Sequence, residues 1–263
     1  MTEMSVDITR HGPVATVWLN RPERHNAMDE HLIAALQGAF DTLALEQTVR
    51  VIVLAGRGSS FCAGADLTWM QRAAAFSEEE NLADARALAG MLKAIHRCPK
   101  PVVARVHGPA MAGGTGLIAA CDIAIGTAKA RFGLSEVRLG LIPATIGPYV
   151  VHAIGERHAH RYFLSAERID AASAQRMGLL HEVVAEDALD ARISEICAEL
   201  AKGAPGALAA AKDLLGVLSG TSVQDDALLD DTARRIAQIR TGEEAREGLA
   251  AFFDKRPPDW IQH

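Results

Sequence analysis

Three short apolar runs, at residues 14–19, 51–55 and 101–106, each precede a turn carrying small residues and then a stretch with helical spacing. This recurrence, at unequal steps of roughly forty to fifty residues, constrains the fold more than any single motif, because units of this kind bury their apolar faces only by stacking. In the first, Val14-Ala15-Thr16-Val17-Trp18-Leu19 is β-rich and stops at Asn20-Arg21-Pro22, where proline ends sheet pairing. Leu32, Ile33, Leu36, Phe40 and Leu43 then recur at three- and four-residue steps, predicting a helix that starts near Met28 and runs to about Leu45. The second unit opens with Val51-Ile52-Val53-Leu54-Ala55, a continuous apolar run suited to a strand covered on both faces. Its helix begins at a Ser77/Glu80 capping box and stops before Pro99 and Pro101. The third has its strand at 101–106, a turn at Gly108-Pro109 and a small-residue segment from Gly113, followed by a short strand near 121–126. Beyond about Asp187 only helical patterns remain, broken at Gly203, Pro205, Gly220 and Gly242. We therefore expect an α/β chain with a core over residues 1–190 and a helical region over 191–263. The apolar stripes of that helical region, including Leu208, Leu214, Leu215 and Ile236, must cover either a core of their own or a neighbouring subunit, and a homo-oligomer is the favoured expectation.

Composition narrows the function classes. With 49% hydrophobic and 23% charged residues the chain reads as globular, and a formal charge of -6 without a basic stripe argues against nucleic acid as partner. Cys62, Cys98, Cys121 and Cys197 form no CxxC pair, so reduced, mostly buried thiols are expected, and no metal site. His158 and His160, two apart on a helix, point in different directions and make a poor metal pair. The first twelve residues do not read as a signal sequence, and no run of about 18 uncharged apolar residues occurs, so a cytoplasmic location without membrane contact is expected.

Two turns could carry chemistry. Phe61-Cys62-Ala63-Gly64-Ala65-Asp66-Leu67 follows a buried strand and has little bulk, so its backbone N–H groups can approach a ligand. Gly108 to Gly116 again places small residues before an expected helix N-terminus, where unpaired N–H donors favour negative charge. If the two converge they form an oxyanion hole, an effect worth about 3 to 4 kcal/mol per donor. Alone, either turn could equally serve tight packing. Gly114-Thr115-Gly116-Leu117-Ile118-Ala119 also fits the GxGxxA dinucleotide pattern, with Glu136 about twenty residues on, but five residues intervene after Gly108 where that motif bends directly from strand to helix.

Taken together, Leu19-Asn20-Arg21-Pro22 with Asn26-Ala27-Met28, the Phe61 to Leu67 segment, Gly113-Gly114 before Cys121-Asp122, and Phe132-Gly133-Leu134-Ser135-Glu136 resemble the enoyl-CoA hydratase/isomerase (crotonase) family. The motifs stand in the family's order and spacing over nearly the whole chain. The resemblance implies a crotonase-like spiral of β-β-α repeats with a C-terminal helical extension, assembled as a trimer or a pair of trimers. It implies an acyl-CoA thioester substrate, with CoA as part of the substrate and no separate cofactor. The N–H groups of Ala65 and Gly113 would hold the thioester oxygen, and Glu136 would be the acid/base. Arg24, His25 and Ala27, with Ala63, Asp66 and Leu67, would border CoA, and Lys255 or Arg256 could reach its phosphates. A second glutamate that typical hydratases carry falls here on Gly116. That departure favours single-carboxylate isomerisation, whereas the run from Ser135 to Ala144 looks like bacterial hydratases of branched or glutaconyl-type CoA esters, so hydration is placed first and a non-catalytic acyl-CoA-binding role last. Arg138 is a candidate to meet a second substrate carboxylate. Cys62 lacks a histidine partner and reads as a packing residue.

Overall fold

Alternation within one strand explains the two faces of the core. In the segment 51–56, Ile52 and Leu54 join one apolar cluster while Val51 and Val53 join another on the opposite side, so the run is apolar throughout. The structure, a computed structural model, describes residues 4–261. In chain order the strands are β1 (Val6–His11), β2 (Val14–Leu19), β3 (Val51–Gly56), β4 (Val102–Val106), β5 (Ala110–Met111), β6 (Ile123–Thr127), β7 (Arg131–Gly133), β8 (Ile169–Asp170) and β9 (Glu182–Val184). The helices are α1 (Glu30–Leu45), α2 (Leu67–Ala73), α3 (Glu78–His96), α4 (Gly113–Ala120), α5 (Gly147–Ser165), α6 (Ala171–Met177), α7 (Leu189–Ala201), α8 (Pro205–Leu218), α9 (Asp226–Arg240) and α10 (Glu243–Asp254).

A six-stranded sheet runs β1-β2-β3-β4-β6-β9, parallel throughout except for the β1/β2 hairpin. A second, smaller sheet, β5-β7-β8, sets β5 parallel to β7 through the Met111/Gly133 pair. The expected helix over 28–45 is α1, with the Asp29 carboxylate accepting from Leu32 N–H at 2.9 Å. The Ser77/Glu80 capping box starts α3, both of its reciprocal hydrogen bonds being present. Arg131–Gly133, where the sequence shows no obvious strand end, is strand β7, three residues before Glu136.

The helical region divides in two. α7 packs against β3, β4 and β6 and supplies Leu189, Ile193 and Cys197 to the cluster on the second face of the sheet. It belongs to the core, so the segment without an interior of its own begins at α8 rather than at residue 191. In α8, α9 and α10 the single buried residue among those described is Ala251. Polar contacts tie this segment down: Lys212 donates to the Asp122 carboxylate at 2.6 Å and to the Lys100 carbonyl at 3.0 Å, and Arg50 donates to the Trp260 carbonyl at 2.8 Å. Among the described residues no helix is long and apolar enough to cross a membrane.

Candidate active site

The first donor corner is held by a bridge in which Met28 and Ala65 pair in parallel. Met28 N–H donates to the Gly64 carbonyl at 2.7 Å, and Asp66 N–H donates to the Met28 carbonyl at 2.8 Å. In such a pairing the N–H of the central residue, Ala65, points to the opposite side. No hydrogen-bond partner for it exists among the described residues.

The second corner is the start of α4. Gly113 is its first residue, and the first N–H groups of a helix have no intrahelical acceptor. The turn into the helix is made by Ala112 at φ 46° and ψ −117°, an unfavourable conformation for a residue with a side chain, fixed by its N–H donating to the Gly133 carbonyl at 2.7 Å.

The two corners touch. Met111 N–H donates to the Cys62 carbonyl at 2.9 Å, and Cys62 pairs with Ala110 in a further parallel bridge. A Cβ on Gly64 would lie 3.0 Å from the Met111 carbonyl oxygen, and one on Gly114 would lie 2.3 Å from the Cys62 carbonyl oxygen, so side chains at these positions would force the turns apart. A Cβ on Gly113 would meet the Met28 Cε at 2.2 Å, which places the Met28 side chain against the α4 entrance. The structure thus brings the Ala65 and Gly113 turns together.

Glu136 opens a single 3-10 turn, Glu136–Leu139, that leaves β7 three residues after Gly133. Its half-buried carboxyl group has one oxygen, Oε2, that is fully buried and without a hydrogen-bond partner among the described residues. Burial pushes its pKa above the ordinary glutamate value of 4.5, partly offset by a hydrogen bond from its own backbone. Because the Gly133 carbonyl also holds Ala112, the carboxyl-bearing turn and the start of α4 share one strand end.

The candidate CoA positions fall into distinct settings. Arg24, His25, Ala63 and Leu67 are exposed around the 24–27 loop and the 63–67 turn, which are joined by Ala63 N–H donating to the His25 carbonyl at 2.9 Å. Ala27 is buried. Asp66 is turned inward: Oδ1 caps α2 by accepting from Thr68 N–H at 2.9 Å and Trp69 N–H at 3.3 Å, and Oδ2 pairs with Arg21 at 3.3 Å, so its side chain serves the fold. Lys255, at the end of α10, has no hydrogen bond or ion pair with either turn among the described residues. Arg256 is taken up by Glu247.

Sequence reasoning missed two residues that build the site. Arg21 donates to the Ala27 carbonyl at 2.6 Å and pairs with Asp29 at 2.9 Å as well as with Asp66. Asn26, fully buried, donates to the carbonyls of Arg57, Ser60 and Phe61 and accepts from Arg21 N–H. Both lie in the Leu19 to Met28 motif, which signalled the segment but not the roles. Cys62 is buried and its thiol is pushed up to about 12 by that burial, so it remains protonated and a poor nucleophile near neutral pH.

The mostly parallel six-stranded sheet, the small second sheet and the helices around them follow the crotonase fold of solved relatives. An enoyl-CoA hydratase of known structure from Shewanella pealeana is 42% identical, with a TM-score of 0.95 over 98% of this chain and 97% of that one. One from Mycobacterium smegmatis is 36% identical, with a TM-score of 0.90 over 98% and 99% of the two chains. The 2,3-dehydroadipyl-CoA hydratase of Escherichia coli is 32% identical over 259 residues, 96% of this chain and 97% of the relative. Residues 9–263 match the enoyl-CoA hydratase/isomerase family, and the chain belongs to that family.

Proposed function

We propose that this protein adds water reversibly across the double bond of a 2-enoyl-CoA thioester. The observation that carries the reading is the buried, unpartnered Oε2 of Glu136 on a strand end that also anchors the start of α4. The Glu136 carboxylate takes a proton from water as the water oxygen bonds to Cβ, and the double-bond electrons move onto the thioester oxygen. The N–H groups of Ala65 and Gly113 hold that oxygen, each contributing about 3 to 4 kcal/mol to the enolate-like state. Glu136 then returns the proton to Cα, completing the addition of one water. The raised pKa of Glu136 suits a group that must both accept and release a proton near neutral pH.

CoA lies along the 24–27 loop and the 63–67 turn, with the exposed Arg24 offering positive charge to its phosphates. Arg138, exposed on the Glu136 turn and without an ion-pair partner among the described residues, is the group we assign to a second carboxylate on a glutaconyl-type acyl chain. Gly116 gives a second reading weight: with one carboxylate, the same site could shift a proton between two carbons of a 3-enoyl-CoA ester. Incubation with short, branched and glutaconyl-type enoyl-CoA esters in ¹⁸O-labelled water separates the two. Hydration incorporates solvent oxygen into the product, whereas isomerisation does not. Binding of the CoA esters without any turnover would leave an acyl-CoA-binding role.

We infer also that the protein works as a homotrimer or hexamer. The support is the apolar surface of α8 to α10, where Leu215, Val223, Phe252 and Phe253 are 67%, 75%, 76% and 75% exposed in the single chain. Light scattering coupled to size exclusion tests this, and a monomeric mass at micromolar concentration would refute it.

A further inference from the structure

Gly116 and Ile146 compete for one volume. A Cβ on Gly116 would lie 2.2 Å from Ile146 Cγ2 and 2.6 Å from Ile146 Cβ, separations that real side chains do not adopt. Ile146 has little room to retreat. It is 2% exposed, β-branched and part of the same apolar cluster as Leu117 and Leu134. Its main chain is fixed as well, because it caps α5 and its carbonyl accepts from Tyr149 N–H at 3.1 Å and Val150 N–H at 3.0 Å.

The location of this contact gives it chemical weight. Gly113 and Gly116 are three residues apart on α4 and therefore share a face. α5 packs against both α4 and the turn that carries Glu136. A longer side chain at position 116 would thus leave α4 on the face that carries position 113, and Ile146 stands at its first carbon.

We propose that Ile146 is the positioning residue that holds this site to a single carboxylate: it fills the volume an acidic side chain at position 116 would need, and Gly116 and Ile146 form a complementary pair. The inference rests on the reading of Glu136 as the acid/base. It also means that this chain differs from a two-carboxylate site at two coupled positions, so that changing Gly116 alone cannot convert it.

The test compares the parent protein with G116E, I146G and the double variant, by thermal unfolding and by the pH dependence of kcat/KM on a short 2-enoyl-CoA ester. G116E alone should lower Tm by about 5 °C or more, because a side chain forced into a filled core strains its surroundings. The double variant should melt at least about 3 °C above the value that summing the two single losses gives. Should G116E not fold, G116A carries the same Cβ and permits the same comparison. The pH profile of the double variant should show two carboxyl ionisations in place of one, since like charges sharing a site titrate apart, a change that packing alone would not produce. Additive losses in Tm, or a double variant with the parent's pH profile, would overturn the proposal. A parent that turns over no enoyl-CoA ester while the Tm coupling persists would instead remove the acid/base reading and leave the complementary pair standing.

Discussion

Arg21 holds the Asp66 carboxylate at 3.3 Å while donating to the Ala27 carbonyl at 2.6 Å and pairing with Asp29 at 2.9 Å. One guanidinium thereby ties the 20–29 loop, the cap of α1 and the cap of α2 to the turn that presents Ala65. Arg21→Ala should lower Tm by about 4 to 8 °C, the loss expected for charged hydrogen bonds removed from a partly buried site. Arg21→Lys should rescue little of it, because an ammonium cannot span three partners held by a fork. Differential scanning calorimetry on the two variants checks both statements.

Asp66 should also shape the acid limb of stability. Burial works against its charge but is outweighed by the Thr68 and Trp69 N–H donors and by Arg21 and Arg24, leaving its pKa below the ordinary 3.8. Its contribution is therefore fully present above about pH 4 and is lost as pH falls through the lower folded-state value. An Asp66→Asn variant should show a smaller stability difference from the parent at pH 3 than at pH 7.

Glu136→Gln should reduce kcat by about 10²- to 10⁴-fold with the fold intact. The stability effect should run the other way. The folded state raises the pKa of Glu136, so its stabilising contribution belongs to the protonated form and fades as pH rises through that folded value. The glutamine variant should accordingly melt no lower than the parent at pH 7, and a clear fall in Tm would contradict this account.

The Gly113 amide can be tested by comparing two variants. Proline suits the first position of a helix and removes the N–H, while alanine retains it; both place a Cβ against the Met28 Cε, and proline in addition constrains Ala112, so the comparison is read with the melting temperatures of the two variants matched. Relative to Gly113→Ala, Gly113→Pro should lose a further 10²- to 10³-fold or so in kcat. Equal activities would show that this donor does not act on the reacting oxygen.

Cys62 should be silent. With its thiol buried and held near 12, it should resist iodoacetamide in the native protein at pH 8 and react only after unfolding. Rapid native labelling at that position, read by peptide mass spectrometry, would contradict its assignment to the core.

Much of this architecture is legible in the sequence where a long enough pattern exists. α1 and α3 span several turns each, so their stripes and caps declare them, and β3 declares itself by being apolar on both faces. β5 and β8, of two residues each, and β7, of three, are too short to display alternation, yet they carry the contact between Gly133 and Ala112 that sets the Glu136 turn against α4. The stripe of α7 reads like those that follow it, because periodicity says that a face is covered and not by what. Glu136 and the small-residue turns were visible as motifs. The hub at Arg21 was not, since its partners are brought together from as far as forty-five positions away, and neither was the Ile146 side chain over Gly116, a contact between helices that no local pattern encodes.

The unpaired amides at Ala65 and Gly113 belong to the main chain, and this has a practical consequence. Alanine scanning, which trims side chains one at a time, would report nothing at Ala65 and a blurred result at Gly113, since neither has a group to remove. What such a survey would register instead is every neighbour whose bulk or bonding shapes the two bends, among them Arg21, Asn26 and Gly114. A map of sensitive positions for this protein would therefore outline a ring of supports around a centre that itself looks empty.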